Sequence, residues 1–148
     1  MTNPAAVLPD AMKGIGGLLK AIRSSGLSEE TMELVGLRAS QINGCGACAY
    51  GHVANLRKAG VDEDKIATVV AWRHAPYFSD AERAALQLAE TATRLSDRSD
   101  EAVPDELWDE VASHFDERQR SGLLLSIALT NFFNRLNTTL RVPAGTTW

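Results

Sequence analysis

Two cysteines three positions apart, Cys45 and Cys48, are followed four residues later by His52 in the stretch INGCGACAYGH, Ile42 to His52. They are the only cysteines of the chain. Three kinds of chemistry suit such a set. A thiolate attacks a peroxide oxygen or a disulfide sulfur, and a second thiol close by condenses with the resulting sulfenic acid before it over-oxidises. Alternatively, Cys45, Cys48, His52 and one carboxylate complete a tetrahedral zinc site. In the third reading the cysteines are small core residues and His52 is a satisfied polar group. Against zinc stands the lack of a second ligand pair elsewhere: no other cysteine exists, and His74 and His114 are isolated. A thioredoxin-type site is disfavoured because the chain shows no βαβ pattern.

The chemistry depends on what holds the three side chains. With Cys45 in the first turn of a helix and about 100° per residue, Cys48 lies some 60° round from it and His52 within about 20° of it. All three then share one face. The free N–H groups and dipole at a helix N-terminus favour thiolate over thiol. Gly44 suits the tight turn that leads in, and Gly44 and Gly46 leave the approach open.

Stepping outward from this helix, helical spacing runs through almost the whole chain, and the fold class expected is all-α. A first helix covers Pro9 to Ile22. Ser28 caps a second, with Glu29 and Glu30 in its first turn, running to Ile42 where Asn43-Gly44 breaks it. The cysteine helix follows and stops at Gly60. Asp62 caps a short fourth helix that ends at Ala75-Pro76. Ser79 to Glu82 is a capping box opening an alanine-rich helix to about Leu95. Pro104 fits the first turn of a sixth helix. Asp116 to Gln119 opens the last, which runs to about Leu140. Ser96 to Val103 reads as a loop, and Met1 to Val7 and Val142 to Trp148 as irregular ends.

The last helix carries apolar residues nearly all round, including Leu123, Leu124, Leu125, Ile127, Leu129, Phe132, Phe133, Leu136 and Leu140. Such a helix is central in its domain or shared with another subunit, and contact between subunits is the expected part of the reason. Asn131, Asn134 and Asn137 form a polar line along it, read as a solvated edge or buried structural amides. Tyr50, Trp72, His74, Tyr77 and Phe78 are candidates for a pocket wall, with core packing the plainer reading. Trp108 and Trp148 carry no functional signal.

Composition sets the outer limits. The 148 residues suit one domain with a real core, and the net charge of −4 provides no basic stripe for a nucleic acid. The N-terminus lacks the pattern of a secretory signal. The longest apolar block, Gly122 to Thr130, is too short to span a bilayer. A cytoplasmic protein without membrane partner is expected, and there a working cysteine pair is favoured over a permanent disulfide.

The wider context of the pair bears a resemblance. ELVGLRASQINGCGACAYGH, Glu33 to His52, resembles the signature of AhpD-like alkylhydroperoxidases within the carboxymuconolactone decarboxylase superfamily. In that signature a glutamate stands twelve residues before CxxC and a histidine four after it. AWRHAPYFSDAERAALQLAE, VPDELWDEV and ALTNFFNRLN extend the likeness to roughly Leu8 to Pro143. The resemblance implies a single all-α domain over 1–148, a bundle of about six or seven helices assembling as a homo-oligomer (dimer, trimer or hexamer). It implies catalytic roles for Cys48 as the attacking cysteine, Cys45 as the resolving one, His52 as proton acceptor, and Glu33 completing a relay through Cys45 and water. It also implies a hydroperoxide substrate and an external dithiol, a lipoyl protein or a thioredoxin-like protein, as reductant, with no bound cofactor. Lactone decarboxylation is not implied, because the decarboxylase branch lacks the CxxC. The alkylhydroperoxidase pattern carries a histidine beside the second cysteine, where this chain has Ala47.

Overall fold

The computed structural model describes residues 2–98 and 103–146, and every regular element among them is helical. In order these are α1 (Pro4–Val7), α2 (Pro9–Arg23), α3 (Glu29–Ile42), α4 (Gly46–Lys58), α5 (Glu63–Thr68), a 3₁₀ segment (Val69–His74), α6 (Asp80–Thr93), α7 (Asp105–His114) and α8 (Glu117–Thr139). The all-α class expected from the sequence is the class observed.

The boundaries follow local chemistry. The Ser28 hydroxyl accepts the Thr31 N–H at the start of α3. Ser79 with Glu82, and Asp116 with Gln119, each form both halves of a capping box. Three expectations need correction. Pro4–Val7 forms a single helical turn where an irregular end was expected. Pro104 stands at the N-cap of α7, not inside its first turn. The fourth helix changes to 3₁₀ at Val69 and kinks at Ala71, φ −127° and ψ 34°. Just beyond the kink the Arg83 guanidinium donates to the carbonyls of Trp72, Ala75 and Phe78 and so braces the irregular chain that follows. The expected loop at Ser96–Val103 lies partly outside the described residues, as does Trp148.

Helix α3 is the pivot and packs against α4, α6 and α8. Its Val35 joins Leu88, Val111, Leu123 and Ile127 in one core cluster, on the side of α6, α7 and α8. Leu34 and Leu37 face a second cluster with Leu56, Ile66, Val69, Trp72 and Phe78. Between the helices lies a partly buried polar knot. Glu90 of α6 accepts from Arg38 Nε at 2.7 Å and Trp72 Nε1 at 2.9 Å, and pairs with Arg73 at 2.6 Å. Burial alone would push the Glu90 carboxyl up, but the bonds from Trp72, Arg73 and Arg38 outweigh it and hold the carboxyl below its ordinary value. Lys65 likewise bridges Glu30 of α3 and Glu82 of α6, each at 2.6 Å.

Helix α8 buries Leu123, Ile127 and Leu129 but leaves Leu124, Leu125 and Phe132 exposed. With Val7, Leu8 and Met12, they put apolar surface on the outside of α1, α2 and α8. No helix among the described residues is long and apolar enough to cross a membrane.

Candidate active site

The site begins at the break between α3 and α4. Asn43 ends α3, and Gly44 turns the chain with φ +67°, a conformation costly for any side chain with a Cβ. Cys45 is the N-cap of α4, with extended backbone, so it stands just before the helix and not within its first turn as the sequence suggested. Its sulfur accepts the N–H of Cys48 at 3.3 Å, the capping role that serine or aspartate usually fills. The two sulfurs are joined as a disulfide, with Cα atoms 5.4 Å apart. Cys45 is buried at 2% exposure, while Cys48 is half-buried and lines a cavity.

Glu33 and His52 meet across the α3–α4 contact: Oε2 of Glu33 lies 2.7 Å from Nδ1 of His52. Both side chains keep partial exposure, 17% and 21%. The contact exists because position 36 is glycine. A Cβ there would stand 2.7 Å from His52 Nε2 and 2.8 Å from Nδ1, so the imidazole lies directly on the α3 backbone. Gly36 is one turn beyond Glu33 on the same helix face, a small residue whose purpose appears only once His52 is brought over it.

From α8 comes a ladder of amides. Asn43 Nδ2 donates to Asn131 Oδ1 at 2.9 Å and Asn134 Oδ1 at 2.8 Å. Asn134 donates to Ser40 at 3.0 Å. Asn137 Nδ2 reaches the Cys48 sulfur at 3.3 Å. The polar line is thus a set of largely buried structural amides that ties the turn before the cysteines to α8, and its third member touches the cysteine pair.

The cavity, about 440 Å³, is walled by Leu19 and Ile22 of α2, Met32 of α3, and Leu129 and Phe133 of α8, with Cys48, Glu33 and His52 among its lining. The aromatic candidates from the sequence do not form it. Trp72 and Phe78 are core residues at 4% and 5% exposure, Tyr50 and Tyr77 are exposed, and none of these nor His74 borders the cavity. Leu129 has a second role: it also borders an outer groove with Leu18, Leu125 and Phe132. Phe132 and Phe133 touch edge to face, 5.5 Å between ring centres, the first bordering the outer groove and the second the chamber.

Among the described residues no group of three or more His, Cys, Asp or Glu side chains is arranged to hold a metal ion. The geometry instead brings together two bonded sulfurs, one facing a largely apolar chamber, with an imidazole held by a carboxylate beside it.

Comparison with known proteins agrees with this picture. The profile of the Carboxymuconolactone decarboxylase family matches residues 9–91. The uncharacterized protein YdfG of Bacillus subtilis is 36% identical over 131 residues, 88% of this chain and 87% of that one. A crystal structure from Agrobacterium tumefaciens, of a protein of unknown function linked by name to antioxidant defence of the AhpD kind, superposes with a TM-score of 0.87 at 30% identity. It covers 98% of this chain and 97% of that one. Alkyl hydroperoxide reductase AhpD of Streptomyces avermitilis is 44% identical over 48 residues, but the match spans only 32% of this chain and 27% of that protein. Enzymes are therefore found among the relatives.

Proposed function

Because the chain belongs to the carboxymuconolactone decarboxylase family and its CxxC pair lies beside a glutamate-held histidine, we propose that it is an AhpD-like, thiol-dependent hydroperoxide reductase with Cys48 and Cys45 as its redox pair. The single observation carrying this reading is the unequal setting of two bonded sulfurs: Cys48 borders the cavity, whereas Cys45 is buried behind it.

The cycle gives each of the four residues a stated part. Glu33 accepts the Nδ1–H of His52 and so holds the tautomer whose Nε2 can take a proton. His52 receives the proton of the Cys48 thiol. The thiolate attacks the terminal oxygen of a hydroperoxide; the O–O bond breaks, Cys48 becomes a sulfenic acid, and the departing alkoxide leaves as alcohol with the proton from His52. The Cys45 thiol then displaces hydroxide from that sulfenic acid, giving the disulfide and water. An external dithiol closes the cycle by attacking Cys48, the reachable sulfur, with Cys45 as leaving group; the dithiol becomes a disulfide and both protein thiols are restored. A lipoyl-bearing or thioredoxin-like protein supplies that dithiol. The apolar walls favour an organic hydroperoxide over hydrogen peroxide. Glu33 acts through His52 here, in place of the relay through Cys45 that the resemblance implied. The protein works in the cytoplasm as a homo-oligomer of single-domain subunits, assembled through the exposed apolar face of α8.

Reduced protein mixed with cumene hydroperoxide should lose both thiols of the chain and consume peroxide catalytically when a dithiol is added. Cys48→Ser should abolish turnover. Thiols that stay unchanged at pH 7 would refute the proposal.

A further inference from the structure

Three asparagines line one face of α8, and two of them have their amide oxygens engaged by Asn43. Asn137 is different. Its Nδ2 donates to the sulfur of Cys48 at 3.3 Å, and its Oδ1 is buried without a donor among the described residues, though the residue is only 5% exposed. A buried acceptor left unpaired has given up its hydration for nothing, so an amide held this way needs a reason.

The chemistry of the sulfurs supplies one. In the disulfide neither sulfur carries a proton, so the pair can only accept. In the reduced site Cys48 becomes an anion and Cys45 a thiol. An N–H that meets a neutral sulfur weakly meets a thiolate as a charge-assisted hydrogen bond, roughly twice as strong. Reduction also turns Cys45, bonded to the sulfur that Nδ2 touches, into a thiol donor where the disulfide offers none. We infer that Asn137 is a further catalytic residue, whose amide N–H stabilises the Cys48 thiolate and whose carbonyl takes up the Cys45 thiol when the disulfide opens. This rests on the reading of Cys48 as the attacking sulfur.

The other groups around Cys48 must be kept in view. Arg23 of α2, Glu29 and Glu33 of α3 and His52 of α4 line the same cavity, and α8 adds no charged group to it. All of these remain in variants at position 137, so a change there isolates the amide.

The test is the pH profile of Cys48 alkylation by iodoacetamide, read by peptide mass spectrometry on protein reduced and freed of reductant. Wild type should show a midpoint well below the ordinary thiol value of about 8.5. Asn137→Ala should raise it by about one unit, a roughly tenfold slower reaction at pH 7, and Asn137→Asp by more. In wild type the ¹⁵N resonance of the Asn137 side-chain amide should titrate with the same midpoint. A wild-type midpoint near 8.5 overturns this inference together with the peroxidase reading. A depressed midpoint that stays put in folded variants overturns this inference alone. Should neither variant fold, a wild-type Asn137 resonance that does not move through the Cys48 midpoint overturns it.

Discussion

Gly36→Ala tests the Glu33–His52 contact without altering either residue. The added Cβ would lie 2.7–2.8 Å from the two ring nitrogens of His52, where ordinary contact needs about 3.5 Å. The ring carbon Cε1 lies closer still, so relief requires the ring to retreat by roughly 1.2 Å. Taken along the Glu33 direction, that stretches the 2.7 Å contact to about 3.9 Å, outside hydrogen-bond range. The imidazole then loses both its held tautomer and its place in the cavity that Cys48 also lines. Misplacement of a catalytic group by about 1 Å costs up to ~100-fold in rate. Turnover of cumene hydroperoxide with a saturating dithiol should therefore fall by about tenfold to a hundredfold. Stability should change far less. Alanine gains about 1 kcal/mol over glycine inside a helix, and overpacking costs about 1–3 kcal/mol. The melting temperature then falls by no more than about 8 °C. Turnover within about twofold of wild type in a folded Gly36→Ala protein would refute the reasoning, for it would mean that the chemistry does not need the ring where Gly36 lets it lie.

Two further outcomes follow from the packing. Glu90→Gln should destabilise the fold by about 1–2 kcal/mol at pH 7, since it weakens a partly buried acceptor shared by Arg38, Arg73 and Trp72. Because the folded carboxyl sits below its usual 4.5, this contribution is fully present above that value and is lost as pH falls through the lowered one; urea midpoints of wild type and variant should converge under acid. Leu125→Glu combined with Phe132→Glu should reduce the assembled mass in light scattering to the 16.0 kDa subunit, and a wild-type protein already at that mass would contradict assembly through α8.

What could be read in advance was what is local. Ser28, Ser79 and Asp116 announce helix starts because a capping oxygen and the amide it receives are three residues apart. The cysteine–histidine set is local for the same reason. The resemblance implied a place for Glu33 in a relay through Cys45 and water, and its direct contact with His52 was not legible, as nothing in composition says which face of α3 meets α4. The cavity could not be read at all. Its walls come from α2, α3 and α8, whose juxtaposition depends on packing between distant parts of the chain. The aromatic candidates failed for a related reason: Trp72 and Phe78 join Ile66, Val69 and Leu86 in the core, and periodicity cannot separate a core wall from a cavity wall. Asn137 was noticed as part of a line, but its partner is eighty-nine residues away in sequence.

Leu129 gives the molecule a thin partition. The same side chain borders the chamber before Cys48 on one side and the outer groove beside Leu125 and Phe132 on the other. A body seated in that groove would press on a leaf of hydrocarbon whose far surface lines the chamber before Cys48. The dimensions of the chamber would then respond to a neighbour that never approaches the sulfur.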